Sequence, residues 1–184
     1  MKSLKGQLLI ASPSLVGSFF TKTVILMVEH SAEGAAGVVL NRPTEATVAD
    51  IAETVFAEAI DWAKPLNLGG PVPGPLVVLH REEDLGDLEI LPGLHEAIEI
   101  SKVRAVVDRR LEPSLFLANY AGWGPGQLEG EFASDSWLTL PAQLEHIFLE
   151  DNTDLWDLVV QAVHARKLSD FLGLRVLPED PRWN

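Results

Sequence analysis

Gln127, Glu129 and Glu131 follow a glycine-rich run in which Gly122, Gly124 and Gly126 surround Trp123, and Trp137 closes the segment. An amide and two carboxylates gathered around one indole could hold a ligand or move a proton. The glycines release the backbone to positive φ, or to close approach by a ligand or another chain. Pro125 is placed to open a helix, because a residue in the first turn needs no intrahelical partner for its N–H. Such a helix start would offer free N–H groups and a positive dipole end to a carboxylate or phosphate. The same residues have a structural reading. Gln127, three residues after a Gly124 cap, can fold back as half a capping box, while Glu129 and Glu131 answer the dipole themselves. On the helix, Leu128 and Phe132 share the inward face and Gln127 and Glu131 the neighbouring one. Glu129 and Glu131 fall on different faces, so spacing alone does not make them an acid/base pair.

A second cluster is Asn41-Arg42-Pro43. The proline holds Arg42 extended, and its planar guanidinium beside the helix start would complete an anion site. The structural alternative, which carries more weight, is an ion pair from Arg42 to Glu129 or Glu131 that locks the fold. Five histidines stand at 30, 80, 95, 146 and 164. None has a metal-binding spacing such as HExxH, and Glu29 and His30, adjacent on a strand, face opposite ways. They are read as structural, and neither metal nor cofactor is expected. There is no Gly-x-Ser-x-Gly elbow, P-loop, Rossmann or kinase signature.

The 184 residues carry 14 Lys plus Arg against 27 Asp plus Glu, a formal net charge of −13, and no cysteine. The length suits one domain over residues 1–184 with a sizeable core. Disulfides, Cys-based zinc and a thiol nucleophile are excluded, in keeping with a cytoplasmic, soluble protein. The negative field repels phosphate backbones, so direct nucleic-acid binding is disfavoured. Lys102, Arg104, Arg109 and Arg110 are the densest basic cluster, interrupted by Asp108 and Glu112, and read as a solvated helix face. The apolar run at 8–11 is too short for a signal peptide, and no run approaches the ~20 residues of a membrane span.

The elements that must position these groups follow from periodicity. Apolar runs at 23–28 and 36–40 flank a polar connection at 31–34 and predict a hairpin covered on both faces. Thr47 caps a helix with apolar positions at 48, 51, 52, 55, 56 and 59, stopped by Pro65. Residues 75–80 read as a core strand, 81–95 as polar and turn-rich, 98–101 as strand and 102–107 as helix. Residues 115–120 read as a strand that aims the glycine-rich segment. Helical periodicity recurs at 141–149 and 152–166, and Trp183 stands in a tail that crosses the surface or hangs loose. Strands interrupted by helices and hairpins without regular βαβ alternation favour an α+β fold.

Together, the motifs Gly6-x-Leu-Leu-Ile-Ala-x-Pro13, Phe20-x-x-Thr-Val-Ile25, Glu29-His30, Gly37-Val-Val-Leu-Asn-Arg-Pro43, Gly69-Gly-Pro-Val72, Leu79-His80 and Gly122-Trp-Gly-Pro-Gly-Gln-Leu-Glu129, with Glu131 and Trp137, resemble the YqgE/AlgH family of bacterial proteins. The resemblance covers most of the chain. The segment after Val72 is shorter than usual, and Asn119 stands where glycine is commoner. The resemblance implies a single compact α+β domain with a branched, largely antiparallel sheet surrounded by helices. It supplies no reaction. One branch is named as a regulator of transcription, yet no helix-turn-helix with a basic recognition helix is visible here, so any such role would be indirect. The leading expectation is a binding or regulatory module for a small anionic ligand or a protein partner, held between Asn41-Arg42-Pro43 and the Trp123 segment. The alternatives are a hydrolase or transferase using Glu131 or Glu129 as general base, and a purely structural interaction protein.

Overall fold

Both faces of the sheet are covered, which is why its apolar runs do not alternate. The computed structural model describes residues 3–172; the tail with Trp183 lies outside them. In chain order the strands and helices are β1 (Gln7–Ala11), β2 (Val24–Ser31), β3 (Gly34–Val39), β4 (Pro43–Thr47), α1 (Val48–Phe56), β5 (Pro65–Leu68), β6 (Val72–His80), β7 (Leu88–Leu91), β8 (Leu94–Ala97), α2 (Ile100–Asp108), β9 (Ser114–Trp123), α3 (Gln127–Ala133), β10 (Trp137–Pro141), α4 (Leu144–Ile147) and α5 (Leu155–Leu172). The fold is α+β. Consecutive Leu8 and Leu9 are both fully buried, on opposite faces. Leu8 joins Leu26, Leu79 and Leu117 beneath Leu155, Val159 and Val163 of α5. Leu9 joins Ile25, Met27, Trp123 and Trp137 against Leu128 of α3. A third cluster seats Val103 and Val106 of α2 on Val78 and Phe116.

The strand order is β10-β1-β2-β3-β9-β6-β8-β7, with β4 and β5 branching off at β9. All pairings are antiparallel except β5 with β9. One edge of β9 is shared by two strands in succession. Phe116 to Ala118 pair with β5, Ala121 to Trp123 pair with β3, and β6 occupies the other edge from Ser114 to Tyr120. The branch falls at Asn119, whose φ of 67° bends the strand, a conformation asparagine tolerates better than most residues. Gly69 and Gly70 cross at the same point, where a Cβ on Gly70 would lie 2.0 Å from the Tyr120 carbonyl carbon.

The hairpin forms, its strands extended so that Ser31 pairs with Gly34. Thr47 caps α1, its N–H and hydroxyl both 2.7 Å from Asp50 Oδ2, and Ala57 in the left-handed region ends the helix before residue 59. Three expectations need correction. Residues 81–95 contain β7 and the start of β8: β7 is partly exposed, with Leu88 37% exposed, whereas β8 is buried throughout, its polar His95 and Glu96 included. Residues 98–101 are not a strand. The Asp87 carboxylate accepts the N–H groups of Ile98 and Glu99 at 2.7 and 2.8 Å, turning the chain into α2. The span 141–149 holds only the four-residue α4, because Pro141 is paired with Gln7 as the end of β10.

Candidate functional site

The glycine-rich segment divides between strand, turn and helix. β9 runs on through Gly122 to Trp123, and α3 starts at Gln127 rather than at Pro125, with Gly126 at φ 72° as its cap. Gln127 Oε1 accepts the Gly124 N–H at 3.1 Å, the half capping box, and Gln127 Nε2 donates to Glu131 Oε1 at 3.0 Å. Glu131 Oε2 accepts two indole N–H groups, Trp123 at 3.0 Å and Trp137 at 2.7 Å. Around this carboxylate Phe20 stacks on Trp123 with centroids 6.2 Å apart, and Trp137 meets both rings edge-on. Leu128 is buried beneath, with Phe132 beside it. Glu131 is thus an acceptor with both oxygens engaged. A general base needs a free lone pair directed at a substrate proton; of the roughly four lone-pair sites of this carboxylate, two at Oε2 hold the indoles and one at Oε1 holds Gln127.

Glu129 is met by His30. The imidazole Nδ1 accepts the Leu4 N–H at 3.1 Å, so Nε2 carries the proton and donates to Glu129 Oε1 at 3.1 Å. The Glu129 backbone N–H, and after it the His30 ring, hold this carboxyl below its ordinary range. Glu29 faces the other side of β2, as alternation requires.

Arg42 reaches neither glutamate. Its guanidinium donates to the Thr21 and Asn41 carbonyls, and Asn41, 4% exposed, accepts the Val24 N–H and donates to the Lys22 carbonyl, each at 2.9 Å. Residues 20 and 21 link the two clusters: Arg42 donates to the Thr21 carbonyl, and the Phe20 ring stacks on Trp123. The expected ion pair from Arg42 to Glu129 or Glu131 does not form.

The other charged candidates are engaged. Lys102 pairs with Asp87, Arg104 with Glu58 and Asp108, and Arg109 with Asp84. His80 is fully buried, stacks on His95 with centroids 6.3 Å apart, and accepts the Glu82 N–H; burial first, then the neighbouring His95, pushes its pKa down.

The reverse face of the same strands carries a groove of about 540 Å³. Glu29, Glu33, Gly34, Ala36, Tyr120 and Gly122 are among the residues that line it, and register sets Glu29 beside Ala36 and Ala36 beside Gly122. The Tyr120 ring is fixed between two glycines: added Cβ atoms would lie 2.7 Å from it at Gly74 and 3.1 Å at Gly122. Among the described residues, no Lys or Arg lines the groove. Sequence reasoning named Gly122 and Trp123, weighed Glu29 only as a metal ligand, and did not name Glu33 or the Tyr120 ring. The available signal was an acidic hairpin end opposite an aromatic on a glycine-flanked strand, which only the β3–β9 pairing joins.

The sequence model of the AlgH-like family matches residues 8–167. A UPF0301 protein of Chlorobaculum tepidum is 37% identical, with 97% of this chain and 95% of that protein covered. One of Vibrio vulnificus is 33% identical over 93% of this chain and 98% of that protein. The solution structure of the AlgH protein from Pseudomonas aeruginosa superposes with a TM-score of 0.77 at 31% identity, covering 96% of each chain. A Corynebacterium diphtheriae crystal structure shares the fold, with a TM-score of 0.70 at 22% identity over 85% of each chain. With its branched sheet, its α3 junction and a match spanning most of its length, the chain belongs to the AlgH-like family.

Proposed function

We propose that the protein is a binding module whose groove beside β9 takes a cationic group, the amine or guanidinium of a basic small molecule or of a Lys or Arg side chain on a protein partner. One observation carries this reading: Glu29, Glu33 and Tyr120 line one groove together with the small residues Gly34, Ala36 and Gly122, and among the described residues no Lys or Arg lines it. A cation between carboxylates and an aromatic gains Coulomb attraction and ring-quadrupole attraction together. The tyrosine hydroxyl takes no hydrogen-bond partner among the described residues and is available to a ligand. The anionic ligand expected from sequence is set aside, because the Arg42 guanidinium is committed to the Thr21 and Asn41 carbonyls and Gln127 takes the Gly124 N–H. Hydrolase or transferase chemistry at Glu131 is set aside too, because three of its roughly four lone-pair sites already accept hydrogen bonds. Regulation through a basic partner, in a cytoplasm compatible with a cysteine-free chain, fits the net charge of −13.

The test is titration of the isotope-labelled protein with spermidine and with N-acetyl-arginine amide, followed by amide shifts. Shifts confined to residues 29–36 and 120–123, weakened at least about tenfold by Glu29→Gln with Glu33→Gln and by added salt, are expected. Indifference to the double substitution, or equal shifts with acetate or phosphate, would overturn the reading.

A further inference from the structure

At the opposite end of β9 from the acidic groove, a cavity of about 600 Å³ opens beside Pro43 and the first residues of that strand. Its walls are apolar, formed by Pro43, Pro65, Leu115 and Phe148. Two asparagines from distant parts of the chain meet in it, Asn67 at 4% and Asn152 at 9% exposure. Asn152 Nδ2 donates to the Leu40 carbonyl and, at 3.3 Å, to Asn67 Oδ1. That orients both amides and leaves one atom of each without a partner among the described residues: Asn67 Nδ2, a donor, and Asn152 Oδ1, an acceptor. Neither is among the solvent-sealed unpartnered atoms, which are His80 Nε2 and Ser114 Oγ, so both remain reachable from the cavity. Burying an amide without a partner is costly, and a cavity that keeps a complementary pair open inside apolar walls has the composition of a small-molecule site.

The charges at the mouth set the class of ligand. Lys64 is neutralised by Glu112, its Nζ 2.7 Å from both carboxylate oxygens, and Glu150 and Asp151 add negative charge that no Lys or Arg among the described residues pairs with. Anions are repelled there. We infer that this cavity binds an uncharged planar group presenting one acceptor and one donor on the same edge, a carboxamide or a lactam ring, with its acceptor on Asn67 Nδ2, its donor on Asn152 Oδ1 and its faces against proline rings and Phe148. The site is separate from the cation groove and does not depend on it.

The test uses the full chain, isotope-labelled, titrated with nicotinamide and uracil and, in parallel, with their carboxylated counterparts nicotinate and orotate. The amide and lactam probes are expected to shift the side-chain NH2 signals of Asn67 and Asn152 and the backbone signals of 147–152, and the acids to bind at least about tenfold more weakly. Asn152→Ala should weaken the neutral probes about tenfold or more. Because that variant also removes structural hydrogen bonds, Glu150→Lys at the exposed rim provides the second arm, narrowing the gap between acid and amide severalfold while the neutral probes bind as before. Equal binding of acids and amides, shifts elsewhere on the chain, or no shifts with any probe up to about 10 mM would overturn the inference.

Discussion

Glu131 accepts three hydrogen bonds at two oxygens, so its loss strands two indole N–H groups beneath Phe20. Glu131→Ala is expected to destabilise the protein by about 2–4 kcal/mol in denaturant unfolding, because each unsatisfied buried donor costs about 1–3 kcal/mol. Glu131→Gln, which keeps one carbonyl acceptor, should lose less. A catalytic glutamate would give the opposite pattern, with activity lost and stability little changed or raised. The pairing of Gln127 with Glu131 and the inward Leu128 and Phe132 were legible in the sequence, since they depend only on helical spacing. The two indoles that Glu131 holds were not, because Trp137 arrives from the far edge strand, which pairs with β1.

At the scale of elements, the junction on β9 is where sequence and sterics are most tightly joined. Gly70→Ala places a methyl 2.0 Å from the Tyr120 carbonyl carbon. The two backbones must part, and a loss of about 3 kcal/mol or more, or no soluble folded protein, is expected. Gly126 makes the contrast: at φ 72° with nothing within 4 Å of an added Cβ, Gly126→Ala carries only the left-handed penalty, about 1 kcal/mol. Chemical denaturation of the pair separates close approach from backbone conformation. The hairpin, α1 and its Thr47 cap were readable because their signals are local. The strands at 88–97 escaped because they are short, carry buried polar residues such as His95 and Glu96, and pair with one another and with β6.

On the scale of the whole molecule, Glu96 reports how the two ends of the sheet come together. Burial first, then the nearby Asp87, and also Glu29, raise its carboxyl to about 7, while Lys5 opposes them. The folded state therefore keeps a proton that the unfolded chain releases near 4.5. Stability is unaffected by this group below that pH, falls as pH rises from about 4.5 to about 7, and levels off above. The full shift corresponds to about 3 kcal/mol. Glu96→Gln, which cannot ionise, is expected to recover much of that at pH 8 and little at pH 4, as measured by unfolding midpoints across pH. This coupling between β8, β2 and the N-terminal segment has no counterpart in any local motif. The sequence by itself determined the family, the α+β class, the Thr47 cap and the inward turn of Leu128, because periodicity and capping chemistry act over a few residues. Tertiary structure alone decided that Arg42 turns to the Thr21 carbonyl instead of Glu129 or Glu131, that Glu131 is a structural acceptor, and that Glu29, Glu33 and Tyr120 line one groove while Asn67 meets Asn152. Those juxtapositions depend on which strands share the edges of β9, and strand order is fixed by long-range packing that local spacing does not encode.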